Sequence, residues 1–167
     1  LESIDYVLRI SESKASHVWR GYKDSHVLSG DTIIDFNGEI IGKPSSNNEA
    51  FKIIDKLSNK THSVISGLSL FYDGKAITIF DKTDVTFKKL SRSIIENYIE
   101  SFNVLDKAGA YNIEDAENIL IKHIDGCYNN IVGFSNVREK MNAKFPRTKV
   151  QMILTKEAYP EQASFFD

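Results

Sequence analysis

The chain has 167 residues, with 41% hydrophobic and 26% charged content, which suits one folded domain with a real core and excludes a disordered chain. A net charge of -2 argues against a protein built around long nucleic acid, although a single nucleotide needs only a local cluster of cations. The single cysteine, Cys127, rules out an internal disulfide and fits a reducing compartment, so a cytoplasmic location is expected. No apolar run approaches the roughly 18 residues of a membrane span, and no membrane partner is expected.

Residues 5–22 predict a helix whose apolar face carries Val7, Ile10, Ala15, Val18, Trp19 and Tyr22, interrupted by Ser11 and Lys14. Residues 27–36 predict a buried strand ended by an Asn37-Gly38 hairpin turn, with a return over 39–41. Ser46 and Glu49 form a capping box that opens a helix carrying Ala50, Phe51, Ile54 and Leu57. A strand from His62 to Tyr72 turns at Asp73-Gly74 into a return strand over 76–80, and Val85 and Phe87 alternate in a further strand. Ser91 caps a helix with Ile94, Ile95, Tyr98, Ile99 and Phe102, followed by a loop over 103–111. Residues 118–124 predict a strand ended by Asp125-Gly126, with a helix over 137–145 and a strand over 149–154 beyond it. Strands and helices alternate with several hairpins, which predicts an α/β chain with a mixed sheet.

Three places carry chemistry. Asp31 stands inside an apolar strand, where an acid is costly unless it is paired, hydrogen-bonded or bound to metal. It reads as a metal ligand or general base beside a phosphate, or as a strand-end carboxylate capping a turn. Lys43, between Gly42 and Pro44, reads as a phosphate-binding point charge or a solvated loop lysine; Lys14 on the first helix poses the same choice. Asp106 to Tyr111 forms a small-residue loop with a cation, Lys107, and an aromatic able to pack on a base or sugar. The four histidines show no metal-ligand spacing and read as structural or solvated, and Cys127 reads as an inert thiol.

Together these segments resemble the Maf family of nucleoside triphosphate pyrophosphatases. The blocks run in family order: Lys14-Ala15, Asp31-Thr32, Gly42-Lys43-Pro44, Glu49-Ala50, His62-Ser63-Val64-Ile65-Ser66-Gly67, Thr83 to Phe87 with Tyr98, Asp106 to Tyr111, and Ile124 to Gly133. The resemblance covers about residues 5–134 and divides the chain into a Maf-like domain over 1–134 and a divergent segment over 135–167. It implies an elongated Maf/ITPase-like domain, with a mixed sheet flanked by helices and a cleft between two lobes.

The implied activity is hydrolysis of a nucleoside triphosphate to its monophosphate and pyrophosphate. The Asp-Lys-Ala-Gly-Ala-Tyr loop looks like the branch acting on dTTP and UTP. By this resemblance Asp31 would be the proton acceptor for the attacking water, a metal ligand, or both, for a divalent cation such as Mg²⁺ or Mn²⁺. Lys14 and Lys43 would neutralise the triphosphate, Thr32 would contact substrate near Asp31, and Lys107 and Glu114 would complete the substrate-binding set. Glu114 stands where the pyrimidine branch has a base-reading glutamine. The family's opening strand and Ser-x-Ser-Pro-Arg-Arg loop has no counterpart before Asp5, so an N-terminally truncated form is expected. An uncovered sheet edge would then invite a homodimer. The rival reading is a catalytically impaired Maf-fold module that binds nucleotide or a protein partner.

Overall fold

The computed structural model of the protein describes residues 2–132. Helix α1, Glu2–Gly21, starts three residues before the expected boundary and turns Ser3, Val7, Ser11 and Ala15 inward. That four-residue spacing makes one narrow helical stripe. Ser11 therefore does not interrupt the face: it is buried and hydrogen-bonds Leu8 O and Ser69 Oγ, both at 2.9 Å. Small residues suit this position because α1 lies close on the sheet. At Gly67 in the strand beneath, a Cβ would sit 2.9 Å from the Val7 backbone oxygen.

Strand β1, Val27–Phe36, and strand β2, Glu39–Ile41, match the expected hairpin. Asn37 and Gly38 have φ of 55° and 84°, the pair of left-handed residues that a tight turn matched to strand twist requires. Helix α2, Asn47–Leu57, is capped by Ser46, whose hydroxyl accepts from the Glu49 amide at 3.3 Å. The reciprocal half of the box is displaced by one residue: the Glu49 carboxylate accepts from the Ser45 amide at 2.7 Å.

Strands β3, Thr61–Tyr72, and β4, Lys75–Phe87, form one long hairpin. The two short strands expected within 76–87 are a single continuous strand, because pairing with β3 runs unbroken from Tyr72–Lys75 to Thr61–Thr86. Helix α3, Arg92–Ser101, is capped by Ser91 as expected. A 3-10 turn at Ala108–Ala110 and the short α4, Ile113–Ala116, precede β5, Ile121–Asp125, and α5, Tyr128–Val132. The expected helix over 137–145 and strand over 149–154 lie outside the described residues.

Among the described residues the sheet has five strands in the order β2-β1-β3-β4-β5, and every adjacent pair is antiparallel. The α/β class holds; where a mixed sheet is expected, the five described strands are all antiparallel, because neighbours are joined by tight hairpins or by returns that reverse direction. The two sheet faces differ. On one, α1 covers Ile33 and Ile65 together with polar Ser29 and Ser69. On the other, Ile34, Phe36, Val64, Val85 and Phe87 pack against Ala50, Ile54 and Leu57 of α2 and Ile95, Tyr98 and Ile99 of α3. Each such buried aliphatic or aromatic side chain contributes about 1.5–3 kcal/mol, so this second face holds most of the fold's apolar stabilisation.

Candidate active site

Alternation along β1 sends Ser29, Asp31, Ile33 and Asp35 toward α1 and Leu28, Thr32, Ile34 and Phe36 to the far face. Asp31 meets Lys14 of α1, with Nζ 2.7 Å from Oδ1 and side-chain exposures of 28% for Lys14 and 24% for Asp31. An ion pair this wet is worth about 0–1 kcal/mol, far less than the apolar core, so the fold does not depend on it. Its consequence is positional: a carboxylate and a cation are held together with part of each open to solvent.

Thr32, the next residue along β1, points the other way. Its hydroxyl lies on the far face, 2.8 Å from Ser66 Oγ, its direct cross-strand partner on β3. Thr32 is expected to contact substrate near Asp31; the period of the strand places these two consecutive side chains on opposite faces of β1. Ser66 in turn donates to the backbone oxygen of Asn130 in α5 at 3.1 Å. Asn130 Nδ2 donates to Val64 O and to Thr83 Oγ1, both at 3.1 Å, and Thr83 also accepts from the Cys127 amide at 3.0 Å. Ser66, Thr83 and Asn130 are thus far-face residues that sequence reasoning did not assign. Their only signal was membership of the His62–Gly67, Thr83–Phe87 and Ile124–Gly133 blocks.

Lys43 and Lys107 are carried by two loops that touch. The Gly109 amide donates to Gly42 O at 3.0 Å, joining the Gly42-Lys43-Pro44 segment to the 3-10 turn. Gly109 has φ of 70° and sits against Ile34, where a Cβ would approach Cδ1 to 2.3 Å. Ile34 faces the Thr32 side, so both loops gather there. Lys43 is exposed beside buried Pro44, and Lys107 Nζ is 3.1 Å from the Asp106 carboxylate. Glu114 is exposed on α4. The Tyr128 hydroxyl of α5 is held above the usual phenol range by lost water contact first, then by the charges of Glu117 and Glu114.

The expected residues therefore fall into two groups, Lys14 with Asp31 on one face of β1, and Thr32, Lys43, Lys107 and Glu114 toward the other. The edge of β1 connects them. β2 pairs with β1 only from Ile34 to Phe36, whereas β3 pairs with it from Val27 to Asp35. On the β2 side, Val27 to Ile33 has no ladder partner among the described residues.

None of the expected site residues lines the cavity of about 320 Å³ bounded by Glu2, Ser3, Ile4, Asp35, Gly38, Ser63, Ile65 and Lys82. That cavity lies at the N-terminal turn of α1, and the convergence of charge at the β1 edge is the better guide to chemistry. His62, in one of the family-like blocks, is a core residue. It is 2% exposed, its Nε2 is 2.8 Å from the Tyr111 hydroxyl, and burial pushes its pKa down to about 4 against the opposing pull of Asp84.

The Lys14–Asp31 pair stands at the edge of an antiparallel sheet, and the loops carrying Lys43 and Lys107 touch on the other face of β1. The family model described as "Maf-like protein" matches residues 1–140, and the chain belongs to the Maf family. It is 40% identical over 129 residues to a dTTP/UTP pyrophosphatase of Bacillus cereus, covering 77% of this chain and 68% of that protein. A dTTP/UTP pyrophosphatase of Bacillus anthracis is 39% identical over 129 residues, with the same coverage of 77% and 68%. Another, from a second strain of Bacillus cereus, is 37% identical over 134 residues, covering 80% of this chain and 70% of the relative.

Proposed function

We propose that this chain hydrolyses dTTP and UTP, or modified pyrimidine nucleoside triphosphates, to the monophosphate and pyrophosphate. Membership of the Maf family and relatives named dTTP/UTP pyrophosphatase support nucleoside triphosphate pyrophosphatase activity. The observation that carries the assignment to this site is the Lys14–Asp31 pair at the open edge of β1. Phosphoryl chemistry needs positioning and charge neutralisation more than covalent help. Lys14 keeps the Asp31 carboxylate oriented until substrate arrives, then shares its charge with a phosphate oxygen. Lys43 approaches from the far face, and Asp31 accepts the proton of the attacking water.

Among the described residues no group of three His, Cys, Asp or Glu side chains is placed to enclose a cation. Asp31 alone fits the single-carboxylate share that Mg²⁺ takes when substrate phosphates supply the other ligands. Mg²⁺, or Mn²⁺, held there would neutralise triphosphate charge. We place the reaction in the cytoplasm, in keeping with the single cysteine; no helix of the described residues is long and apolar enough to cross a membrane. A homodimer belongs to the same proposal, since β2 and β5 end the sheet with no outer strand among the described residues.

The test is pyrophosphate release from dTTP and UTP with Mg²⁺. Asp31→Asn is expected to lower turnover by about 100-fold or more while nucleotide binding persists. Undiminished release by Asp31→Asn would overturn the role of Asp31. Binding without turnover in the unmodified chain would favour an impaired nucleotide-binding module instead.

A further inference from the structure

Tyr111 reads from the sequence as an aromatic able to pack on a base or sugar, yet the structure turns it inward. Its buried ring meets His62 and Phe87 edge-on, with centroids at 5.5 and 5.0 Å, and its hydroxyl is 2.8 Å from His62 Nε2. Burial holds His62 neutral down to about pH 4, so ordinary titration does not break this bond. The two residues before Tyr111 need such a hold. Gly109 and Ala110 have φ of 70° and 61°. Glycine enters that region freely, whereas the Cβ of an alanine crowds the following carbonyl. A residue with a side chain stays there only where its surroundings over-determine it, and such positions gather at ligand clamps. Here the Tyr111–His62 bond ties the turn to β3, and the Asn112 amide, donating to the Tyr98 hydroxyl at 3.3 Å, ties it to α3. Held this way, the turn presents the Gly109 amide to Gly42 O at 3.0 Å, and Gly42 is the residue before exposed Lys43.

We infer that Tyr111, latched to His62, is a positioning residue for a phosphate-bearing ligand: it holds Gly109 and Ala110 in the left-handed turn and so sets, through the Gly109–Gly42 bond, where Lys43 stands. The inference rests on the nucleoside triphosphate reading above, in which Lys43 approaches the phosphates, and adds the buried device that fixes that lysine. Without the Tyr111 hydroxyl, Ala110 relaxes out of the left-handed region and the Gly109 amide leaves Gly42. Lys43 then keeps its charge but loses its fixed place. Lys14 and Asp31 stand on the other face of β1, outside this chain of bonds, so ligand binding changes more than turnover of bound ligand.

The experiment measures pyrophosphate release from UTP with Mg²⁺, and binding of its non-hydrolysable α,β-imido analogue by calorimetry, in a double-mutant cycle between Tyr111 and Lys43. Tyr111→Phe, which keeps the ring, is expected to raise KM and the analogue's Kd about fivefold while kcat stays within about twofold. Lys43→Ala is expected to raise both at least as far. Adding Tyr111→Phe to it changes neither further, because Tyr111 acts through Lys43. Adding Ala110→Gly to Tyr111→Phe restores KM, since glycine needs no hold to keep the left-handed turn. His62→Leu breaks the same bond from its other end and serves if Tyr111→Phe does not fold. A merely structural Tyr111 would lower the melting temperature and the folded fraction and leave the KM of folded molecules at the wild-type value. That result, additive effects of the Tyr111 and Lys43 variants, or wild-type KM in Lys43→Ala overturns this inference and leaves the pyrophosphatase reading standing. A wild type that neither cleaves nor binds any nucleotide overturns both.

Discussion

His62 shows how one residue's surroundings set a property of the whole chain. Its ring is packed edge-on against Phe87 and Tyr111, with centroids at 4.9 and 5.5 Å, and Nδ1 is buried with no hydrogen-bond partner. A charged imidazole there loses its hydration, so the folded pKa is pushed down to about 4. An unfolded histidine titrates near 6.5, so between those values the unfolded chain binds more protons than the folded one. Stability therefore rises with pH across that window and is lost as pH falls from about 6.5 toward 4, by up to about 3 kcal/mol. Urea unfolding at a series of pH values checks this, with His62→Gln expected to flatten the slope. A wild-type curve already flat through the window would refute it. The Lys14–Asp31 pair has the opposite character: partly wet and weakly stabilising, its importance lies in where it holds charge.

At the scale of elements, the seat of α1 on the sheet decides whether Lys14 can reach Asp31. Gly67 lies opposite Asp31 on β3, and its missing side chain lets the Val7 backbone settle against the strand. Gly67→Ala would drive a Cβ to 2.9 Å from a backbone oxygen, which no side-chain rotation relieves. Overpacking of this kind costs about 1–3 kcal/mol. The expected outcome is a lowered melting temperature together with loss of activity beyond the loss of folded protein, because α1 must lift and carry Lys14 away. Unchanged activity per folded molecule would show that the helix seat does not govern the site. The hairpin turns and helix caps of these elements were legible in advance, since Asn37-Gly38, Ser46 and Ser91 act on their own neighbours. Ser11 was misread as a break in the apolar face for a different reason. Whether a helix needs a large or a small residue depends on the surface beneath it, and here that surface is Ser29, Gly67 and Ser69.

For the whole molecule, the proposed homodimer draws on the two ends of the sheet, which have no outer strand among the described residues. β2 is short, with Ile40 exposed, and β5 carries exposed Lys122 and Asp125, charged groups that discourage uncontrolled pairing. Light scattering at micromolar concentration is expected to give twice the chain mass; a monomer mass would reject the homodimer.

By itself the sequence determined the α/β class, the two tight hairpins, the capped helices and the family, because each of these follows from local patterns or from ordered blocks along the chain. It also singled out Asp31, Lys14 and Lys43 by residue type. Tertiary structure alone decided how they are grouped. Strand alternation put Asp31 and Thr32 on opposite faces, and helix docking brought Lys14 to Asp31 across 17 residues. Strand pairing and the docking of α5 linked Thr32 to Ser66 across 34 residues and Ser66 to Asn130 across 64. Contacts of that separation exist only once the sheet has formed, so no local pattern announces them. The same pairing explains why the sheet is antiparallel throughout its described strands, a property of chain return that composition and periodicity do not encode.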